Sequence, residues 1–222
     1  MSAPQSSPAG CEPMLLAAAR MLRGGICLSA PGAPTAAALL ARATHAPTLE
    51  LVDPDSPGFL RHGLRRVEVG LVTAAQVDSF GNLNTTVLGE YAEPTARLTG
   101  AGILPELAAG ASVIVLLRHR LASFVGQVDF VTAAGGLSGP PARALTGLIG
   151  IGPVAVVTDL GVLRPDPATA ELVLTDLHPG VTVEQVRAET GWPVEVSDEL
   201  VVTEPATDAE RAALSALSGS RA

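Results

Sequence analysis

The chain has 222 residues, a formal net charge of −8, 47% hydrophobic and 16% charged residues, and only 3% aromatics. That length and apolar content support a packed core and exclude a disordered chain, while the acidic balance, without a basic run or many stacking rings, excludes a nucleic-acid binder. All 14 basic residues are arginine, and without lysine there is no Schiff base, pyridoxal aldimine or biotinyl anchor.

Residues 1–10, MSAPQSSPAG, lack the basic start and apolar core of a signal peptide and are expected to be a disordered tail, leaving 11–222 as one domain. Glu12 to Leu22 reads as a helix stopped by Gly24-Gly25, Ile26 to Ser29 as a strand, Pro34 to Ala43 as a helix with proline in its first turn, and Leu49 to Val52 as a strand. Such an opening predicts an α/β fold, an open and mostly parallel sheet with helices on both faces. Val69 to Val77 is expected as one longer strand. Ser112 to Leu117 and Val154 to Thr158 are apolar without alternation, as in strands buried on both faces. Gly161 to Leu163 and Glu171 to Thr175 flank RPDPAT as a hairpin, Thr182 to Thr190 is a helix closed by Gly191, and Asp208 to Leu217 is an amphipathic terminal helix. The Gly-rich segment 133–152 is expected as a surface excursion or interface loop. The longest uncharged apolar run, ALTGLIGIGPVAVVT, is broken by glycines and Pro153 and is too short to span a bilayer, so no membrane is expected.

Three loops carry chemistry. Asp53-Pro54-Asp55-Ser56-Pro57-Gly58-Phe59 follows a buried strand, where open α/β sheets keep reactive groups. Ser56 is not in G-x-S-x-G, and Pro57 removes the N–H that a nucleophile elbow uses, which disfavours a serine hydrolase. QVDSFGNLN, Gln76 to Asn84, closes several polar side chains on a turn at Gly81; on residue types alone its first reading is backbone satisfaction. LTGAGI sets Gly100 and Gly102 around Ala101, either a plain turn or a loop that turns backbone N–H groups toward an oxygen. His45, His62, His119 and His178 share no metal spacing, and Cys11 and Cys27 form neither a ligand cluster nor a disulfide framework; no metal and a reducing cytoplasm are expected. His178, before Pro179-Gly180, is expected to be structural.

Taken together, THAPTLEL with SPG, QVDSFGNLN, and LHPGVTVEQVRAETGWP resemble the β subunits of family I CoA-transferases, above all the glutaconate CoA-transferase type, from about Glu12 to Val202. The resemblance implies a separate α subunit, a heterotetramer, an active site at the subunit interface, and no cofactor besides the CoA of an acyl-CoA substrate. It also implies that Gly100, Ala101, Gly102, Gln76, Asn82 and Asn84 face that substrate. In the transferases the loop after the second strand carries E-S-G, whose glutamate attacks the thioester. Aligning Gly58 with that glycine puts Ser56 at the glutamate and Pro57 at the serine, in a loop two residues longer, with Asp53 and Asp55 close by. A hydroxyl cannot form the acyl anhydride that CoA transfer requires. A decarboxylase branch, acting on 3-methylglutaconyl-CoA on an alternative route to isovaleryl-CoA, has cysteine there, one atom from serine, so a Cys→Ser variant of that enzyme would also carry this loop. The resemblance therefore implies the small subunit of a decarboxylase, with Ser56 in its active site; a glutaconate-type transferase, an acyl-CoA hydrolase and a non-catalytic partner subunit are the alternatives.

Overall fold

A computed structural model describes residues 11–52, 63, 66–98, 100, 102–148 and 152–219. The chain opens with α1 (Glu12–Met21), β1 (Gly25–Ser29), α2 (Ala33–Thr44) and β2 (Leu49–Val52), all within a residue or so of expectation. It continues through β3 (Val69–Val72), two short hairpins β4 (Gln76–Val77) with β5 (Leu83–Asn84) and β6 (Val87–Leu88) with β7 (Ala96–Arg97), then α3 (Leu104–Gly110) and β8 (Ser112–Leu116). Next come α4 (Pro140–Leu145), β9 (Pro153–Val157), β10 (Gly161–Pro165), β11 (Leu172–Leu177), α5 (Val183–Ala188), β12 (Glu195–Val202) and α6 (Asp208–Gly219).

Eight strands form one sheet in the order β12-β11-β10-β9-β8-β3-β1-β2. Among the described strands of this sheet only β10 runs against its neighbours; the sheet's other pairs are parallel. The open, mostly parallel α/β sheet is thus as the sequence implied. One face is covered by α1, α2 and α6, where Ala18, Ala37, Ala38 and Ala41 lie buried against Leu71, Ile114, Leu116 and Val157. Alanine lets these helices approach closely, which is how a chain poor in aromatics reaches interior packing density. On the other face Leu104 and Leu107 of α3 and Val186 of α5 meet Val113, Val115 and Leu174. A Cβ added at Gly70 would fall 2.3 Å from Leu107 Cδ2, so α3 seats on β3 only above a glycine.

Three expectations are corrected. Val69–Val77 is not one strand: β3 stops at Val72, and Gln76-Val77 pairs with Leu83-Asn84 in a separate hairpin. The intervening Thr73-Ala74-Ala75 contains no strand breaker, so the sequence concealed the exit. Segment 133–152 is not wholly a surface excursion. Ala133 is buried, and a Cβ on Gly135 would sit 2.3 Å from Phe80 O, so its glycines serve backbone-to-backbone approach, whereas α4 has no buried residue. Gly191 does not close α5, which ends at Ala188 with Glu189 as its C-cap: its N–H donates to Phe124 O, and a Cβ there would lie 2.5 Å from that oxygen. The elements that went unread include α3 and the edge strand β12, whose Glu195, Asp198 and Glu199 hide the alternation of a strand while discouraging edge pairing.

Candidate active site

β1 leads through α2 to β2 on one side of it in the sheet, and β3 leads through α3 to β8 on the other. The helices lie on opposite faces, so the sheet has a topological switch point between β1 and β3, and at such a point open α/β sheets have their ligand crevice beyond the strands' carboxyl ends. Ala30 N–H donates to Leu71 O at 2.8 Å and ties the two exits together. On the β1 side, Thr35 Oγ1 donates to Ala30 O and meets Ser29 Oγ at 3.1 Å. Gly32 has φ 89°, and no atom lies within 4 Å of a Cβ placed on it. The turn into α2 therefore presents bare backbone to the crevice.

β2 pairs with β1 in parallel and ends at Val52 on this same edge. Asp53, Asp55, Ser56 and Gly58 lie outside the described residues, as does Ala101.

On the β3 side the β4–β5 hairpin encloses a polar network. Asp78 Oδ1 accepts from the N–H groups of Phe80 and Asn82, fixing the turn in which Gly81 takes φ +70°. Burial pushes the Asp78 carboxyl up from its ordinary value, and hydrogen bonds from Asn82 and Phe80 oppose that shift. Asn82 Nδ2 donates to Asp78 Oδ2 and Leu137 O, both at 2.9 Å, while its Oδ1 accepts from Gly135 N and Leu137 N. Asn84 Nδ2 donates to Gln76 Oε1 and Val87 O, and its Oδ1 accepts from Thr86 N and Val87 N. Gln76 Nε2 donates to Asp129 Oδ2 at 2.9 Å. All three amides are buried, Asn84 completely. In this chain their polar atoms brace the loops around the crevice, as burial of polar groups requires.

The Gly100 loop hangs from that brace. Thr85 Oγ1 donates to Gly100 O, and Gly100 N–H donates to Thr85 O at 3.0 Å. Gly100 therefore keeps no N–H for a ligand. Gly102, at φ +52° one residue before the N-cap of α3, takes no backbone acceptor among the described residues and has open space around a Cβ. In this loop Gly102 is exposed, and neither its N–H nor that of Ile103 meets an acceptor among the described residues.

Two histidines prove to be pins at the carboxyl edge. His119 is fully buried and stacked on Phe124 at 3.7 Å; its Nε2 donates to Thr190 Oγ1, whose own proton goes to Val186 O, and its Nδ1 meets Thr158 Oγ1. Burial lowers its pKa to about 4, so the ring is neutral at pH 7. His178 Nε2 donates to Thr158 O at 2.8 Å and its Nδ1 meets Thr203 Oγ1, the structural role expected of it. Sequence reasoning missed the neighbouring cluster of Arg118, Arg120 and Asp159, because isolated charges after a strand carry no motif. Among the described residues no group of His, Cys, Asp and Glu could hold a metal, and no helix is long and apolar enough to cross a membrane. Clefts of about 410 Å³ lie away from the crevice, one beside Arg20 and Thr203, the other at the amino edge beside Arg23 and Glu68.

The sequence profile of the coenzyme A transferase family matches residues 62–189. The chain is 38% identical to the β-type subunit of the 3-oxoadipate CoA-transferase of Pseudomonas knackmussii, across 93% of this chain and 92% of that protein. The crystal structure of glutaconate coenzyme A-transferase from Acidaminococcus fermentans superposes with a TM-score of 0.80 at 26% identity, over 91% of this chain and 92% of that one. The decarboxylase AibA/AibB superposes with a TM-score of 0.76 at 22% identity, over 95% of both chains, which shows a shared fold. At that identity the chain is not a point variant of that enzyme.

Proposed function

The chain belongs to the coenzyme A transferase family, and on that footing we propose that it is the β-type subunit of a two-subunit enzyme that releases CO2 from 3-methylglutaconyl-CoA to form 3-methylcrotonyl-CoA. The observation that carries this reading is Ser56, in the loop after β2, where the transferases it resembles have their glutamate. In the substrate the C4–C5 bond breaks. Its electron pair becomes the C3=C4 bond, the C2=C3 pair moves to C1–C2, and the thioester oxygen takes the negative charge. A proton delivered to C4 restores the C2=C3 double bond. The substrate is its own electron sink, so the chemistry requires no cofactor. The protein has three tasks: a donor for the thioester oxygen, a desolvated place for the carboxylate, and a proton for C4. In this reading Gly102 N–H serves the first, and Gln76, Asn82 and Asn84 hold its loop in place. Ser56 faces the acyl group as a small neutral side chain that cannot form the acyl anhydride through which a glutamate would enter CoA transfer. An α-type subunit closes the crevice in a heterotetramer.

The test is incubation of the chain, co-purified with its α-type partner, with 3-methylglutaconyl-CoA, followed by CO2 release and mass spectrometry. CO2 with no enzyme-bound thioester supports decarboxylation. No CO2, together with CoA exchange between acids and a borohydride-sensitive enzyme thioester, rejects it. Within a decarboxylase, Ser56→Val retains activity, altered by roughly 5- to 30-fold, the equivalent of one desolvation contact of about 1–2 kcal/mol. Complete loss in that variant would show an essential hydroxyl and overturn the role assigned to Ser56.

The identity to the corresponding subunit of a transferase favours a second reading, CoA transfer, which needs a carboxylate nucleophile. Asp53 and Asp55 are the acids of that loop. Transfer through either predicts that Asp53→Asn or Asp55→Asn abolishes exchange, whereas decarboxylation survives both.

A further inference from the structure

Where β8 leaves the sheet, Arg118 carries a guanidinium that the described residues satisfy only in part. Its Nε is buried without a hydrogen-bond partner, its Nη1 is 4.0 Å from Asp159 Oδ2, and its Nη2 reaches Cys11 Sγ at 3.6 Å. None of these is the short, aligned bond to oxygen that a guanidinium normally makes. Asp159 is already shared. Its Oδ1 accepts from His119 N–H at 2.8 Å, and its Oδ2 lies 3.5 Å from Arg120 Nη2. Two cations thus meet one carboxylate, and the cluster keeps a positive excess on a chain of net charge −8. The neutral ring of His119 neither adds to that charge nor cancels it.

Cys11 is the N-cap of α1, and its side chain caps no backbone N–H. The Cys11 contact therefore sets the guanidinium beside the positive end of that helix, an arrangement of like signs that an anion would relieve. Among the described residues no ion pair joins Arg118 to Glu12 of that first turn, and residues 1–10 contain no Asp or Glu that could supply a carboxylate. The side chain is 38% exposed, so a ligand can reach it. β8 is the sheet neighbour of β3, so Arg118 leaves the sheet on the same carboxyl edge as the switch point, one strand from β3.

We propose that Arg118, with Arg120 beside it, is a binding site for an oxyanion of the acyl-CoA substrate. This rests on the reading that the carboxyl edge receives an acyl-CoA ester. Two groups of such a substrate have the required chemistry, a phosphate of CoA and a free carboxylate on the acyl chain. They differ in consequence. A guanidinium on the departing carboxylate would stabilise the ground state and oppose loss of CO2, so a decarboxylase requires the phosphate, whereas transfer or hydrolysis accommodates either.

Calorimetric titration of the full chain with inorganic pyrophosphate and with glutarate tests the site without turnover, so its failure is separate from failure of the decarboxylase assay. The wild type should bind one of the two, and Arg118→Gln should weaken that binding roughly ten- to hundred-fold, the loss of one or two charge-assisted hydrogen bonds. Arg118→Lys, which keeps charge but loses the planar fork, should fall between. Pyrophosphate as the preferred anion identifies the CoA phosphates, and glutarate identifies the acyl carboxylate. Binding of neither, or equal binding by wild type and Arg118→Gln, overturns the proposal. The melting temperature of the ligand-free chain provides an independent check. A guanidinium satisfied only in part predicts that Arg118→Gln melts no lower than wild type, and a fall of more than roughly 3 °C would show a structural role instead.

Discussion

Asn82→Ala would remove the centre of the brace behind the candidate site. The side chain makes four hydrogen bonds, to Asp78 Oδ2, to Leu137 O, and from the N–H groups of Gly135 and Leu137. It is only 4% exposed, so water does not replace these partners in the folded state. At about 1 kcal/mol for each buried bond, the loss is about 4 kcal/mol, a large part of the roughly 5–15 kcal/mol that separates typical domains from their unfolded state. Asn82→Asp isolates the electrostatic part. It preserves shape but turns an oxygen toward Asp78 Oδ2 at the 2.9 Å position the amide nitrogen now holds. Two carboxylates at that distance share a proton, so the folded state binds more protons than the unfolded chain and stability rises as pH falls. Urea denaturation at pH 7.5 and pH 5 measures both effects. A cost below about 1 kcal/mol for Asn82→Ala, or no recovery of Asn82→Asp at pH 5, would refute the brace as described.

His119 makes the fold sensitive to acid. With its folded-state pKa depressed to about 4 from an ordinary 6.5, its contribution is complete above pH 6.5 and is lost as pH falls through 4. The full loss is about 3 kcal/mol, and His119→Gln should flatten denaturation midpoints over that window. Gly135→Ala would force a Cβ to 2.3 Å from Phe80 O, so it should lower the melting temperature by several degrees with no change in the sheet's circular dichroism. Gly102→Asn tolerates φ +52° and keeps the N–H, and should bind a CoA ester nearly as the parent does, while Gly102→Val strains that backbone and should bind it more weakly; equal affinity for both would remove Gly102 from the site.

Much of the sheet was readable because its determinants are local. Val113 to Leu116 and Val154 to Val157 are continuous apolar runs, which strands covered on both faces must be, and the turn residues around Gly24 and Asp166 mark their own positions. Ser56 could be singled out on the same terms, since a loop motif after a strand is a contiguous stretch of chain. What the sequence could not distinguish is whether a polar residue faces a ligand or the protein. Gln76, Asn82 and Asn84 have the composition of a binding loop, and their role was decided by Asp129, Gly135 and Leu137, more than fifty residues later in the chain for both Gln76 and Asn82. The same holds for Gly100, whose N–H is taken by Thr85, and for Arg118, whose Nε goes without a partner because of what three separate elements bring to one edge of the sheet. Strand propensity is encoded within a few consecutive residues, whereas satisfaction of a buried donor depends on which distant acceptors the finished topology delivers.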